Sequence, residues 1–116
     1  MLALWVRRAF PDAERAIVTQ EKVCDYLRNR SHPIKGPKAA WFEFLGYSGA
    51  RWEALATDLT CVTTECNEFV ARPSPFGVKY ECRGEIGRPG FRPALIVTVW
   101  IAESNQHPRL VTAYPG

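Results

Sequence analysis

The hydrophobic period of this chain changes once, near residue 67, and that change limits the fold more than any other feature. Before it, apolar residues recur every three or four positions, the spacing of a helix with one buried stripe. In "QEKVCDYLRN" the stripe is Val23, Tyr26 and Leu27. Thr19 is a suitable N-cap, but Lys22 stands where a capping box would carry Glu or Gln. "SHPIKGP" interrupts the pattern with two prolines and a glycine. Pro37 suits the first turn of a second helix, "PKAAWFEFL", and Gly46 closes it. Ser48 is placed to cap a third, "GARWEALATDLTCV", with Trp52, Leu55, Ala56 and Leu59 on its stripe. The residues before Pro11 read equally well as a short helix or an extended arm.

After residue 67 the period is two. "EFVAR" is a short strand ended by "PSPFG", and "VKYECRGEI" alternates Val78, Tyr80 and Cys82 with Lys79, Glu81 and Arg83. "PALIVTVWIAE" and "RLVTAYP" follow, separated by the turn "SNQHP". Short connections make consecutive strands antiparallel neighbours. The expected fold is α+β: N-terminal helices on one face of an antiparallel sheet of about four strands. Residues 1–116 form one domain, with 1–9 an N-terminal extension, 10–66 mainly helical and 67–116 the sheet. A chain of 116 residues buries roughly two-thirds of its unfolded surface in such a core.

The totals narrow the partners. A net charge of +3 and a pI near 8.8 permit a phosphate partner without demanding one. "MLALWV" precedes Arg7 and Arg8, the reverse of a secretory signal, and "ALIVTVWIA" is far short of a membrane span. A cytoplasmic protein without membrane association is expected. Its four cysteines, Cys24, Cys61, Cys66 and Cys82, are then reduced thiols. Their spacing, with His32 and His107, matches no zinc module, so neither metal nor other cofactor is expected.

Two surfaces concentrate chemistry. In the third strand Leu95, Val97, Val99 and Ile101 form an aliphatic row suited to packing under helices. That leaves Ala94, Ile96, Thr98 and Trp100 facing outward with Lys79, Glu81 and Arg83. In the last strand, inward Val111 and Ala113 leave Thr112 and Tyr114 outward, although Leu110 is out of step. Such a face offers Lys79 and Arg83 to phosphates and Trp100 to an unstacked base. An ordinary solvated sheet face has the same appearance. The second surface is the loop "RSHPIKGPK", where Gly36 and the following helix start could hold an anion beside Lys38.

The stretches "VCDYLRNRSHPIKGPKAAWFEFLGY", "ARWEALATDL", "SPFGVKY", "VTVWI" and "RLVTAYP" resemble a bacterial family of small domains with no assigned function. The resemblance runs from about Phe10 to the end and leaves "MLALWVRRA" outside it. That family is similar in turn to the C-terminal domains of polymorphic toxins. Many of those belong to the barnase–EndoU–colicin–RelE group of metal-independent ribonucleases, which place helices before a four-stranded antiparallel sheet. The resemblance implies catalytic roles for His32, Lys38, Thr98, Arg109, Thr112 and Tyr114, an RNA substrate, and a cognate immunity or antitoxin protein. Cleavage without metal needs a base for the 2′-hydroxyl, an acid for the leaving 5′-oxygen and cations for the phosphate. His32 suits the proton transfers, and Lys38 and Arg109 suit the phosphate. The alternative is a non-catalytic protein-interaction module with the same fold.

Overall fold

The computed structural model describes residues 5–28, 36–64 and 68–116. Helix α1 spans Gln20–Arg28, α2 Gly36–Phe44 and α3 Trp52–Thr64. Thr19 caps α1 as its sequence suggests, its hydroxyl accepting the Lys22 amide at 3.2 Å. At the far end of α2, Gly46 adopts a left-handed φ of 96°. The Tyr47 amide reaches back to the Phe42 carbonyl and the Gly46 amide to that of Glu43, the paired bonds of a Schellman ending. Ser48 stands at a cap position but makes no side-chain cap bond. The chain enters α3 through the 3-10 turn Gly49–Arg51 instead.

Strands β1 (Glu68–Ser74), β2 (Gly77–Ile86), β3 (Ala94–Ala102) and β4 (Arg109–Pro115) form one antiparallel sheet in the order 1-2-3-4. Helices preceding a four-stranded antiparallel sheet make this an α+β fold, as the change of period implies. Residues 5–10 form an arm without helix. Val6 exchanges both backbone bonds with Phe69 of β1, at 2.8 and 2.9 Å. At the opposite edge Ile17 bridges to β4: its amide donates to the Pro108 carbonyl and its carbonyl accepts from Leu110. Each sheet edge is therefore partly covered by one residue of the N-terminal segment, which limits open-edge pairing.

The core lies between the helices and the inner sheet face. Phe10 stacks on Tyr80 with ring centroids 4.6 Å apart, and Phe69 meets Tyr80 edge-on at 5.6 Å. Trp100, with no exposed surface, tilts against Phe10.

This inverts the expected facing of β3. Ile96, Thr98 and Trp100 point into the core, while Leu95, Val97 and Val99 share the outer face with Glu81 and Arg83. Both faces of this central strand are apolar, so alternation alone does not choose between them. Two terms decide. Trp100 buries the largest apolar area when it faces inward. Thr98, the polar residue in that row, is satisfied inside: it accepts the Trp100 indole N–H at 2.8 Å and donates to the Cys82 carbonyl at 3.2 Å.

Strand β4 contains a bulge. Leu110 opposes Trp100, and Thr112 opposes Val99, so Val111 has no partner on β3. The bulge absorbs the odd spacing between Leu110 and Ala113, so both face the core and the discord of Leu110 with its neighbours is resolved. Thr112 and Tyr114 face outward, as expected, but opposite Val99 and Val97.

Candidate functional site

Lysines that stand third in their helices are at the end where the backbone dipole disfavours a cation, by about 0.3–1 kcal/mol. Both Lys22 of α1 and Lys38 of α2 occupy that place. Both reach the β4 bulge. Lys22 Nζ donates to the Val111 carbonyl at 3.0 Å, and Lys38 Nζ donates to Thr112 Oγ1 at 3.3 Å. Two ammonium groups, each carried on the first turn of a helix, thus meet neighbouring residues of one edge strand. Tyr114, 40% exposed, follows two residues along the same outer face, about 7 Å from Thr112 by strand geometry.

The electrostatics follow from that crowding. Burial holds Lys38 below the usual ammonium range, the nearby charge of Lys22 lowers it further, and Asp25 opposes both. Two ammonium groups and a hydroxyl are donors that suit an anion with several oxygens, such as a phosphodiester, while the Val111 carbonyl is taken by Lys22.

The residues singled out from the sequence separate into groups. Lys38 and Thr112 are in contact, and Tyr114 extends their surface. Arg109, on the outer face of β4, is exposed and its Nη2 donates to Glu103 Oε1 at 2.7 Å. Lys79 and Arg83 face outward as expected. Arg83 binds Glu68 through Nε and Nη2, at 2.7 and 2.5 Å, and lies 3.9 Å over the Trp5 ring. Thr98 and Trp100 are corrections: both are fully buried with their polar atoms bonded to each other, so neither is placed to meet a substrate. His32 lies outside the described residues, as does Cys66. His107, given no role from sequence, sits 3.2 Å from Asp12.

Lys22 was missed. Its signal was legible in hindsight as the cation occupying the position where a capping box needs a carboxylate or amide. Sequence gave no pointer to a second concavity of about 400 Å³ between α3 and the β2–β3 turn, lined by Asp58, Cys61, Glu85 and Arg88 among others. Its polar groups hold the turn in place: Tyr47 donates to Asp58 Oδ2 at 2.6 Å, and Arg88 lies 3.5 Å from the same oxygen.

Cys24, Cys61 and Cys82 are not joined in disulfides. Among the described residues no cluster of three or more His, Cys, Asp or Glu is arranged to hold a metal, and no helix is long and apolar enough to cross a membrane. Neither a curated protein nor a solved structure matches the chain. A family model does, over residues 9–116, from the last residues of the N-terminal arm through β4. The chain is thus a member of the family described as Domain of unknown function (DUF6883).

Proposed function

We propose that this domain is a metal-independent endoribonuclease, of the kind implied by its resemblance to polymorphic-toxin domains, with its reacting centre at the β4 bulge. The carrying observation is the Lys38–Thr112 contact beside Lys22. In this reading the phosphodiester sits against the two ammonium groups, Thr112 orients a non-bridging oxygen, and Tyr114 borders the site. The 2′-hydroxyl oxygen attacks phosphorus as its proton passes to a base, and the bond to the 5′-oxygen breaks as that oxygen takes a proton. The products are a 2′,3′-cyclic phosphate and a 5′-hydroxyl. His32, six residues before Lys38 in the chain, and Lys38 itself are the proton-transfer groups.

The test is cleavage of bulk RNA by purified protein in EDTA. Thr112→Val keeps the side-chain shape, and is expected to lower cleavage about 100-fold while leaving Tm within a few degrees. Wild-type protein that cleaves no RNA, or Thr112→Val and Lys38→Met variants as active as wild type, would remove the proposal.

A second reading, a protein-interaction module, is favoured by the outer sheet face. Its arginines are already compensated, Arg72 by Glu81 and Arg83 by Glu68, and its centre is the aliphatic pair Val97 and Val99. Induced bacterial expression separates the two. Growth arrest relieved by Thr112→Val supports the nuclease, and undisturbed growth at high expression supports the module.

A further inference from the structure

A bulge can sit at more than one place along a strand, and its position decides which side chains face which way. In β4 the unpaired residue is Val111, which puts Thr112 opposite Val99 on the outer face. Moving the irregularity past Thr112 would pair Val111 with Val99 and Thr112 with Thr98. Thr112 would then turn inward and Ala113 become the unpaired residue, while Tyr114 stayed opposite Val97. The strand therefore needs something to hold the bulge at Val111. The Val111 carbonyl receives the Lys22 ammonium at 3.0 Å, from a helix whose start is fixed by the Thr19 cap. That lysine occupies an electrostatically unfavourable place in α1, where a carboxylate or amide would have completed a capping box.

We propose that Lys22 is the positioning residue of this site: held on the Val111 carbonyl, it pins the bulge so that Thr112 meets Lys38, and it presents a second cation to the substrate phosphate. The identity of that substrate rests on the ribonuclease reading; the pinning does not. Lys22 acts on Lys38 in a second way. Among the described residues, the charges of Lys22 and Asp25, both on α1, act on Lys38, while β4 presents the neutral Thr112 hydroxyl. The Lys22 charge lowers the proton affinity of Lys38, so Lys38 gives up its proton at a lower pH than it would alone. One side chain thus acts both on the facing of Thr112 and, beside the larger effect of burial, on the proton affinity of Lys38.

The experiment is an NMR titration of the full chain, with inorganic phosphate as the probe. It follows the Lys38 ε-carbon, the cross-strand contacts of Thr112 with Val99, and phosphate affinity. In Lys22→Met, Lys38 is expected to titrate at higher pH, the Thr112–Val99 contacts to weaken, and phosphate to bind about 10-fold less tightly. Lys22→Arg, which keeps a charged donor, is expected to restore all three. Where Lys22→Met fails to fold, Lys22→Gln serves: it removes the charge and keeps a donor, so Lys38 should still titrate higher. Wild-type Lys38 titration and wild-type Thr112 contacts in the uncharged variant would overturn the proposal. RNA cleavage is measured separately. If it is absent while the NMR effects appear, Lys22 keeps its role and the ribonuclease reading falls. If cleavage is present, its rising pH limb should move to higher pH in Lys22→Met.

Discussion

Two threonines in neighbouring strands look alike in sequence and differ completely in the fold. Thr98 is buried between the Trp100 indole and the Cys82 carbonyl, whereas Thr112 lies half-buried against Lys38. Removing the hydroxyl from each should therefore do opposite things. Thr98→Val leaves the buried Trp100 N–H without its acceptor, at a cost of about 1–3 kcal/mol. For a domain of this size that lowers Tm by roughly 4–12 °C, with activity per folded molecule unchanged. Circular dichroism melting checks it, and an unaltered Tm would show that Trp100 gains another acceptor. Side-chain alternation could not distinguish the two threonines, because the row containing Thr98 and the row opposing it are both apolar. The pairing register distinguishes them: Thr98 opposes the inward Cys82, and Thr112 opposes the outward Val99.

At the scale of elements, one phenol helps to tie α2, α3 and the β2–β3 turn together. Burial, the hydrogen bond to Asp58 and the Asp58 charge push Tyr47 well above the usual tyrosine range. Arg88 and the Gly87 amide act against them. An unfolded tyrosine loses its proton near pH 10, while the folded one keeps it to higher pH. The stability that Tyr47 supplies is thus complete below about pH 10 and is lost above it, at about 1.4 kcal/mol per pH unit. Tyr47→Phe should be less stable at neutral pH and show a shallower fall between pH 10 and 11. Denaturant titrations at several alkaline pH values measure this, and equal slopes for the two proteins would refute it. The start of α1 and the end of α2 were legible, because the Thr19 cap and the Gly46 ending are local signals. The 3-10 entry to α3 was not, since Ser48 has the cap residue type without making the cap bond. The facing of β3 is also a tertiary property, settled by Trp100 seating against Phe10.

For the molecule as a whole, the N-terminal segment closes both flanks of the sheet. Val6 pairs with β1 and Ile17 with β4. The family match begins at residue 9, after the first of these contacts. Deleting residues 1–8 should leave a folded domain, because Phe10 and the rest of the aromatic core remain. It would also free the backbone groups of Phe69 at the β1 edge. The expected outcome is a lower Tm and concentration-dependent self-association in sedimentation velocity. A truncated protein that stays monomeric with an unchanged Tm would show that the arm is a passive passenger. The arm's conformation was undecidable from its sequence, since its partner, Phe69, lies more than sixty residues away in the chain. Within the candidate site, Lys38 and Thr112 were legible through the resemblance. Lys22 was hidden because the bulge that it serves exists only in the folded sheet.

The bulge also separates two requirements that most strands must meet with the same residues. Deleting Val111 would restore regular pairing with Leu110 and Ala113 still facing the core and Thr112 and Tyr114 still outward. The sheet has no architectural use for the additional residue. What the insertion contributes is a carbonyl at the rim that accepts an ammonium from another element. Val111 is in that sense a spare part of the framework. Variation along this strand can adjust what the rim presents to solvent without reopening the arrangement of the interior.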